Sequence, residues 1–209
     1  MKTTEGKVIT VGVTGASGAI LAQTMLCLLE ADTRVARVHL VVTDAGQRLL
    51  ATELGIAAQD AKRLPALVTG AETKKIEYVP NKDIGAAIAS GSYAVDAMLV
   101  IPCSVGTLAA IACGTSDDLL ARAADVCLKE SRRLVLCVRE TPLNRIHLEN
   151  MLRAQAAGAV IMPVIPSFYH GPKTIEDLVM QYVYRVLAQI GLEQEKQYRW
   201  SGKAEKLSD

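Results

Sequence analysis

Gly12-Val13-Thr14-Gly15-Ala16-Ser17-Gly18-Ala19-Ile20 joins an apolar run, Val8-Ile9-Thr10-Val11, to residues Ala19 to Leu29, whose apolar positions recur at helical spacing. The reading is strand, glycine turn, helix. Small residues in such a turn let a ligand approach bare amides, and the helix that follows points its partial positive end at that ligand. The turn therefore reads as an anion cradle for a phosphate. Its spacing is G-x-x-G-x-x-G and not the dinucleotide pattern G-x-G-x-x-G, so a glycine turn kept for packing alone is the competing explanation.

Outward from this turn the pattern repeats. Strands are expected at Val38 to Thr43, Ile76 to Val79, Ala97 to Ile101, Leu134 to Val138 and Ala159 to Met162. Helices are expected at Asp44 to Glu53, Ile84 to Ala89, Leu119 to Glu130, Ile146 to Ala156 and Ile175 to Ile190. Residues Ala57 to Leu67 read as helical up to an interruption at Pro65, and Pro163 to Pro172 as a long loop. Short apolar runs alternating with helices specify a doubly wound α/β fold with a mostly parallel sheet, whose ligands bind outside the carboxyl ends of the strands. The expected division is a domain over residues 1–192 and a polar tail over 193–209 that holds the single tryptophan, Trp200.

Composition narrows the ligand. A chain of 209 residues, 50% hydrophobic, buries a sizeable core, and 23 basic against 22 acidic residues leave no charge excess to attract nucleic acid or an anionic membrane. The ligand is then a small molecule. The five cysteines, Cys27, Cys103, Cys113, Cys127 and Cys137, lack C-x-x-C spacing and read as reduced core residues. With no apolar signal core at the start and no run of membrane-spanning length, the chain reads as cytoplasmic.

Strand ends select the candidate residues. Ser104-Val105-Gly106-Thr107 follows a core strand and opens a helix, so it reads equally as a ligand contact or as a serine N-cap. Arg139-Glu140 follows Leu134 to Val138 directly and lands at the carboxyl edge, where a charged pair favours ligand contact. Arg122 and Lys129, seven apart on one helix, share a face, with Asp118 and Asp125 as ordinary ion-pair partners in the alternative. Arg185 on the last helix and Tyr169 in the proline-rich loop complete the set. Gly15 to Ala19 is not the G-x-S-x-G elbow, none of His39, His147 and His170 is singled out as a base, and no helix carries metal ligands at paired spacing.

Gly12 to Ala19 (GVTGASGA), Ala89 to Ser92 (ASGS), Ile101 to Thr107 (IPCSVGT), Leu120 to Glu130 (LARAADVCLKE), Leu134 to Pro142 (LVLCVRETP), His147 to Met151 (HLENM) and Gly158 to His170 (GAVIMPVIPSFYH) together resemble the flavin prenyltransferases of the UbiX type. The resemblance runs from about residue 8 to about residue 200. It implies a Rossmann-like (flavodoxin-like) subunit that joins the dimethylallyl group of dimethylallyl phosphate to N5 and C6 of reduced FMN without a metal. The product, prenylated FMN, serves a UbiD-type decarboxylase, and a homododecamer is implied. Carried over by position, FMN contacts fall on Gly15, Ala16, Ser17, Thr43, Ser104, Val105, Gly106, Thr107 and Arg139. Substrate contacts fall on Tyr169, Arg185, Lys129 and Ser90, and catalytic roles on Ser17, Glu140, Lys129, Arg122 and Glu53. Thr43 replaces a serine common among relatives, and Ile84 stands where some carry tryptophan. The alternatives are a flavin-dependent cysteine-type decarboxylase, an FMN carrier, and, disfavoured by the glycine spacing, a nicotinamide dehydrogenase.

Overall fold

A computed structural model describes residues 6–57, 59–200 and 202. Six strands, β1 (Lys7–Val13), β2 (Val35–Val42), β3 (Ile76–Tyr78), β4 (Ala97–Cys103), β5 (Arg133–Val138) and β6 (Val160–Ile161), form one sheet in the order β3-β2-β1-β4-β5-β6. Every adjacent pair is parallel. The order reverses between β1 and β4, so their carboxyl ends flank the crevice where such sheets bind ligands. Past Lys7, which opens β1, these central strands are apolar except at Thr10, because a parallel sheet is covered on both faces.

The helices are α1 (Ala19–Ala31), α2 (Asp44–Leu54), α3 (Leu64–Thr69), α4 (Val105–Cys113), α5 (Leu119–Lys129), α6 (Arg145–Ala156) and α7 (Ile175–Ala188). Helices α1 and α3 pack on one another beside β2 and β3, while α4 packs on α5 and α6 by β4 and β5. Helix α5 turns Leu120, Ala123, Ala124 and Cys127 toward the core, the buried stripe that its period requires.

Three sequence expectations change. Pro65 stands in the first turn of α3 rather than ending a helix, since its missing N–H is unneeded there. The expected helix at Ile84 to Ala89 shrinks to one 3-10 turn, Ala87–Ala89, and leaves Ile84 61% exposed. Cys103, Cys127 and Cys137 are buried as expected, but Cys27 and Cys113 are exposed on their helices.

Helix α2 is placed in a way its sequence does not announce. It buries only Gly46 and Leu50. A Cβ on Gly46 would lie 2.5 Å from the Val13 carbonyl oxygen, so the first turn rests on the end of β1. At the other end, Glu53 reaches the start of α1. Both ends of α2 therefore stay at the carboxyl edge, and α3 makes the return crossover to β3.

The chain resolves into two compact units, one ending at Val164 and one beginning at Ile165. In the second, the Thr174 hydroxyl and the Asp177 carboxylate close a capping box on α7. The Gln181 side chain donates to the Lys196 carbonyl at 3.0 Å and accepts from the Tyr198 amide at 2.8 Å. Lys196 and Tyr198 of the polar C-terminal segment are thus held against α7. Rings of Tyr169 and Trp200 lie 5.8 Å apart, and those of His170 and Tyr198 6.2 Å.

Candidate active site

The crevice between β1 and β4 is tied by one side chain. The Thr14 hydroxyl, on a residue 1% exposed, donates to the Pro102 carbonyl at 2.8 Å and accepts from the Ser104 amide at 2.8 Å. The Thr14 amide adds a longer bond to the same carbonyl, 3.3 Å. This fixes the turn after β1 against the turn after β4. Thr14 falls within the turn motif, but nothing local shows this tie, which depends on a partner 88 residues away.

Three helices begin around this crevice. At α4, Ser104 is the N-cap, accepting from the Thr107 amide at 3.3 Å and donating to the Thr107 hydroxyl at 3.1 Å. The bland and the functional readings of Ser104 are compatible: the cap shapes a helix start where Gly106 is exposed and a Cβ there would touch little but the Ser104 hydroxyl. At α2, Thr43 caps in the same way, accepting from the Gly46 amide at 3.0 Å. At α1, Gly15 has its backbone pressed so close to α2 that a Cβ would fall 2.5 Å from that of Ala45. Ala16 is buried, and Ser17 is exposed.

The cradle at the start of α1 already holds an anion. The Glu53 carboxylate accepts from the Gly18 amide at 3.0 Å and the Ala19 amide at 2.7 Å. Burial pushes its pKa up, but the Ser17 hydroxyl, the Ala19 and Gly18 amides and the Arg139 guanidinium together outweigh burial and hold it below the ordinary carboxylate range. The first turn is therefore a site for an internal carboxylate, which corrects the expectation of a phosphate cradle there. Two negative groups on the same two amides would repel. A ligand phosphate is left with the starts of α2 and α4 and with Arg139, whose own amide donates to the Cys103 carbonyl at 3.0 Å.

Gly15, Ala16, Ser17, Thr43, Glu53, Ser104 to Thr107, Arg139 and Glu140 thus gather at the carboxyl edge. Glu140 is exposed, its carboxylate accepting from the Thr141 amide at 3.0 Å. Ser90, Arg122 and Lys129 do not join them within the chain. Arg122 lies on the outer side of α5, pairing with Asp125 at 2.9 Å and donating to the Ala89 carbonyl at 3.2 Å. Lys129 ends α5 just before β5 begins, at the amino edge, and forms an ion pair with Glu130. Ser90 is in the loop that enters β4, its hydroxyl 2.9 Å from that of Ser92. In the second unit, Tyr169 is 76% exposed against Trp200, and Arg185 projects outward from α7 between buried Tyr184 and Val186.

The histidines have structural partners, His170 in the Tyr198 ring. His147 completes the capping box of α6 with Asn144. His39 is buried, with Nε2 3.0 Å from the Tyr93 hydroxyl. A cavity of about 460 Å³ lies beside α2, lined by Asp44, Gln47, Arg48, Ala51, Ile56 and Leu64 among others. Apart from Asp44, the first residue of α2, it shares no lining residue with the crevice groups named above. Among the described residues no helix is long and apolar enough to cross a membrane.

The crevice gathers groups of the kind a phosphate-bearing ligand needs: two helix starts, an arginine, and hydroxyls at Thr43, Ser104 and Thr107. Comparison with known proteins agrees. Residues 1–187 match the family Flavoprotein. The chain is 46% identical over 193 residues to flavin prenyltransferase UbiX of Halalkalibacterium halodurans, covering 92% of this chain and 93% of that protein. It is 43% identical over 206 residues to flavin prenyltransferase UbiX of Pseudomonas aeruginosa, covering 96% and 97%. The crystal structure of AnUbiX (PadA1) with FMN and dimethylallyl pyrophosphate superposes with a TM-score of 0.84 at 41% identity, covering 95% of this chain and 99% of that one. A dodecameric FMN-dependent UbiX-like decarboxylase from Escherichia coli O157:H7 gives 0.83 at 42% identity, covering 93% and 100%. FMN-dependent cysteine decarboxylases such as SpaF share the fold alone, at 17% identity. With its Rossmann-ordered sheet and these relatives along nearly its whole length, the chain belongs to the flavoprotein family and, within it, to the flavin prenyltransferases of the UbiX type.

Proposed function

We propose that the carboxyl-edge crevice binds reduced FMN beside dimethylallyl phosphate and transfers the dimethylallyl group to N5 and C6 of the flavin. The observation that carries this reading is the Ser17–Glu53 pair at the start of α1, within the field of Arg139. Reduced FMN supplies the electron-rich ring that takes the allylic carbon. The chain has the remaining work to do. As the allylic C–O bond breaks, the phosphate departs with the electron pair, and positive side chains must hold the growing charge. Arg139, which follows β5 directly, supports this role, and Tyr169 and Arg185 are assigned to the departing phosphate by the family resemblance. Glu140 is assigned the proton traffic at the leaving group. Closing the ring at C6 releases a proton from carbon, and Ser17 hydrogen-bonded to Glu53 is a relay of the right kind to accept it.

Arg122, Lys129 and Ser90 enter this scheme through a second copy of the chain, since within one copy Lys129 and the Ser90 turn lie toward the amino edge and Arg122 is paired with Asp125 on the outer side of α5. Exposed Leu143, Ile146, Leu148 and Leu152 on and before α6 give an apolar surface for such packing. A homododecamer, the state of the E. coli relative, is the assembly proposed. The recipient of prenylated FMN is proposed to be a UbiD-type decarboxylase.

The test is an anaerobic incubation of the protein with reduced FMN and dimethylallyl phosphate, followed by mass spectrometry of the released flavin. A flavin heavier by one isoprene unit is expected. A flavin that stays bound but unchanged would overturn the reading.

A further inference from the structure

Arg132 lies between α5 and β5, outside the crevice and outside every family motif quoted above. Its fork donates to two backbone carbonyls of one turn, Gly91 at 2.6 Å and Tyr93 at 2.9 Å. That turn, Ser90-Gly91-Ser92, carries the paired Ser90 and Ser92 hydroxyls, and its Tyr93 amide donates back to the Ser90 carbonyl at 3.2 Å. A second anchor holds the same turn from the sheet, where the Tyr93 hydroxyl meets His39 of β2 at 3.0 Å with the two rings edge to face. Gly91 is also a seat. A Cβ there would lie 2.6 Å from the Lys129 ammonium and would collide with the Glu130 carboxylate, so the ion pair rests directly on the glycine.

Arg132 reaches the pair electrostatically as well. The Glu130 carboxyl is held below its ordinary range first by its hydrogen bond and charge interaction with Lys129 and further by Arg132. Because its fork is spent on carbonyls, which carry no net charge, the guanidinium keeps its full positive charge beside Glu130.

We propose that Arg132 is a positioning residue for the transfer reaction: by clamping the Gly91 and Tyr93 carbonyls it fixes the Ser90 turn and, through the Gly91 seat, the place of the Lys129 ammonium. The proposal rests on the reading that Ser90 and Lys129 serve dimethylallyl phosphate in a neighbouring copy's crevice. A rigid planar fork on two carbonyls defines a turn more narrowly than a single flexible ammonium does, and a cation displaced by about an ångström from a phosphate costs up to roughly a hundredfold in efficiency.

Three variants of the assembled protein test it in steady-state kinetics at saturating reduced FMN. Lys129→Met tests the underlying reading and is expected to raise KM for dimethylallyl phosphate. Arg132→Ala and Gly91→Ala, which attack the seat from opposite sides, are each expected to raise the same KM roughly tenfold or more. FMN affinity and oligomeric state should remain those of the parent. A cavity of about 380 Å³ lined by Leu128, Ser131, Arg132 and Arg133 among others adjoins the site, so millimolar guanidinium is expected to restore KM in Arg132→Ala but not in Gly91→Ala. If Lys129→Met leaves KM unchanged, the reading and the proposal fall together. If Lys129→Met raises it and Gly91→Ala does not, the proposal alone is overturned, a result that stands even where Arg132→Ala fails to assemble.

Discussion

Thr14→Val is the substitution that most directly questions the crevice. Valine keeps the shape of threonine and removes only the hydroxyl, which donates to the Pro102 carbonyl and accepts from the Ser104 amide. The carbonyl keeps the Thr14 amide at 3.3 Å, so that half of the loss is a net hydrogen bond of about 0.5–1.5 kcal/mol. The Ser104 amide is left facing a methyl group in a part-buried position, which costs about 1–3 kcal/mol. Together the two give a destabilisation of about 2–4 kcal/mol, a fall in thermal midpoint of roughly 5–15 °C for a chain of this size. Because the Ser104 turn opens α4, FMN binding is expected to weaken in the same variant. Thr14→Ser, which retains both hydrogen bonds and loses one methyl, is expected to cost about 1 kcal/mol and to keep FMN affinity. Differential scanning fluorimetry and flavin fluorescence titration read the two quantities. Thr14→Val unfolding at the parent temperature, or behaving no worse than Thr14→Ser, would refute the claim that this hydroxyl holds the two turns together.

Glu53→Gln is expected to flatten the acid limb of the stability profile: a carboxyl held below its ordinary 4.5 stabilises the fold above that value, and this contribution is lost as pH falls through the lowered pKa. Equilibrium denaturation of both proteins from neutral pH downward measures it. Glu140→Gln is expected to lower kcat by about a hundredfold or more while FMN binding persists, whereas a carrier would deliver flavin unimpaired; single-turnover mass spectrometry separates the two. His39 should titrate below 6.5 in imidazole NMR, because burial and Arg37 oppose its protonation more than Glu77 supports it. Its neutral buried state then favours the fold above 6.5 and withdraws that support as pH falls further.

The sheet was legible because each strand is an apolar run and each turn carries its own punctuation. Val8 to Val11, Ala97 to Ile101 and Leu134 to Val138 all fall within observed strands. Arg139 and Glu140 followed from the same rule, since residues after a parallel strand must appear at the carboxyl edge. Local pattern could not show where α2 lies, because a helix that buries two residues has almost no stripe to read, and Glu53 at the α1 start depends on that placement. The tie made by Thr14 and the clamp made by Arg132 escaped for a related reason: their partners, Pro102 and Gly91, are 88 and 41 residues distant. Arg122 and Lys129 share a helical face as their spacing required, but a face says nothing about which end of the sheet, or which copy of the chain, it serves.

The strand order also bears on how the chain is born. Strand β1 lies in the middle of the sheet, yet its partner β4 starts only at Ala97. At roughly 5–20 residues per second, a ribosome leaves one edge of β1 without its neighbour for several seconds. During that interval an apolar strand paired on one side alone is open to wrong pairing. The closing of Thr14 onto Pro102 and Ser104 is therefore also the step that covers this edge of β1 and hands the open edge on to β4, where it stays until β5 follows.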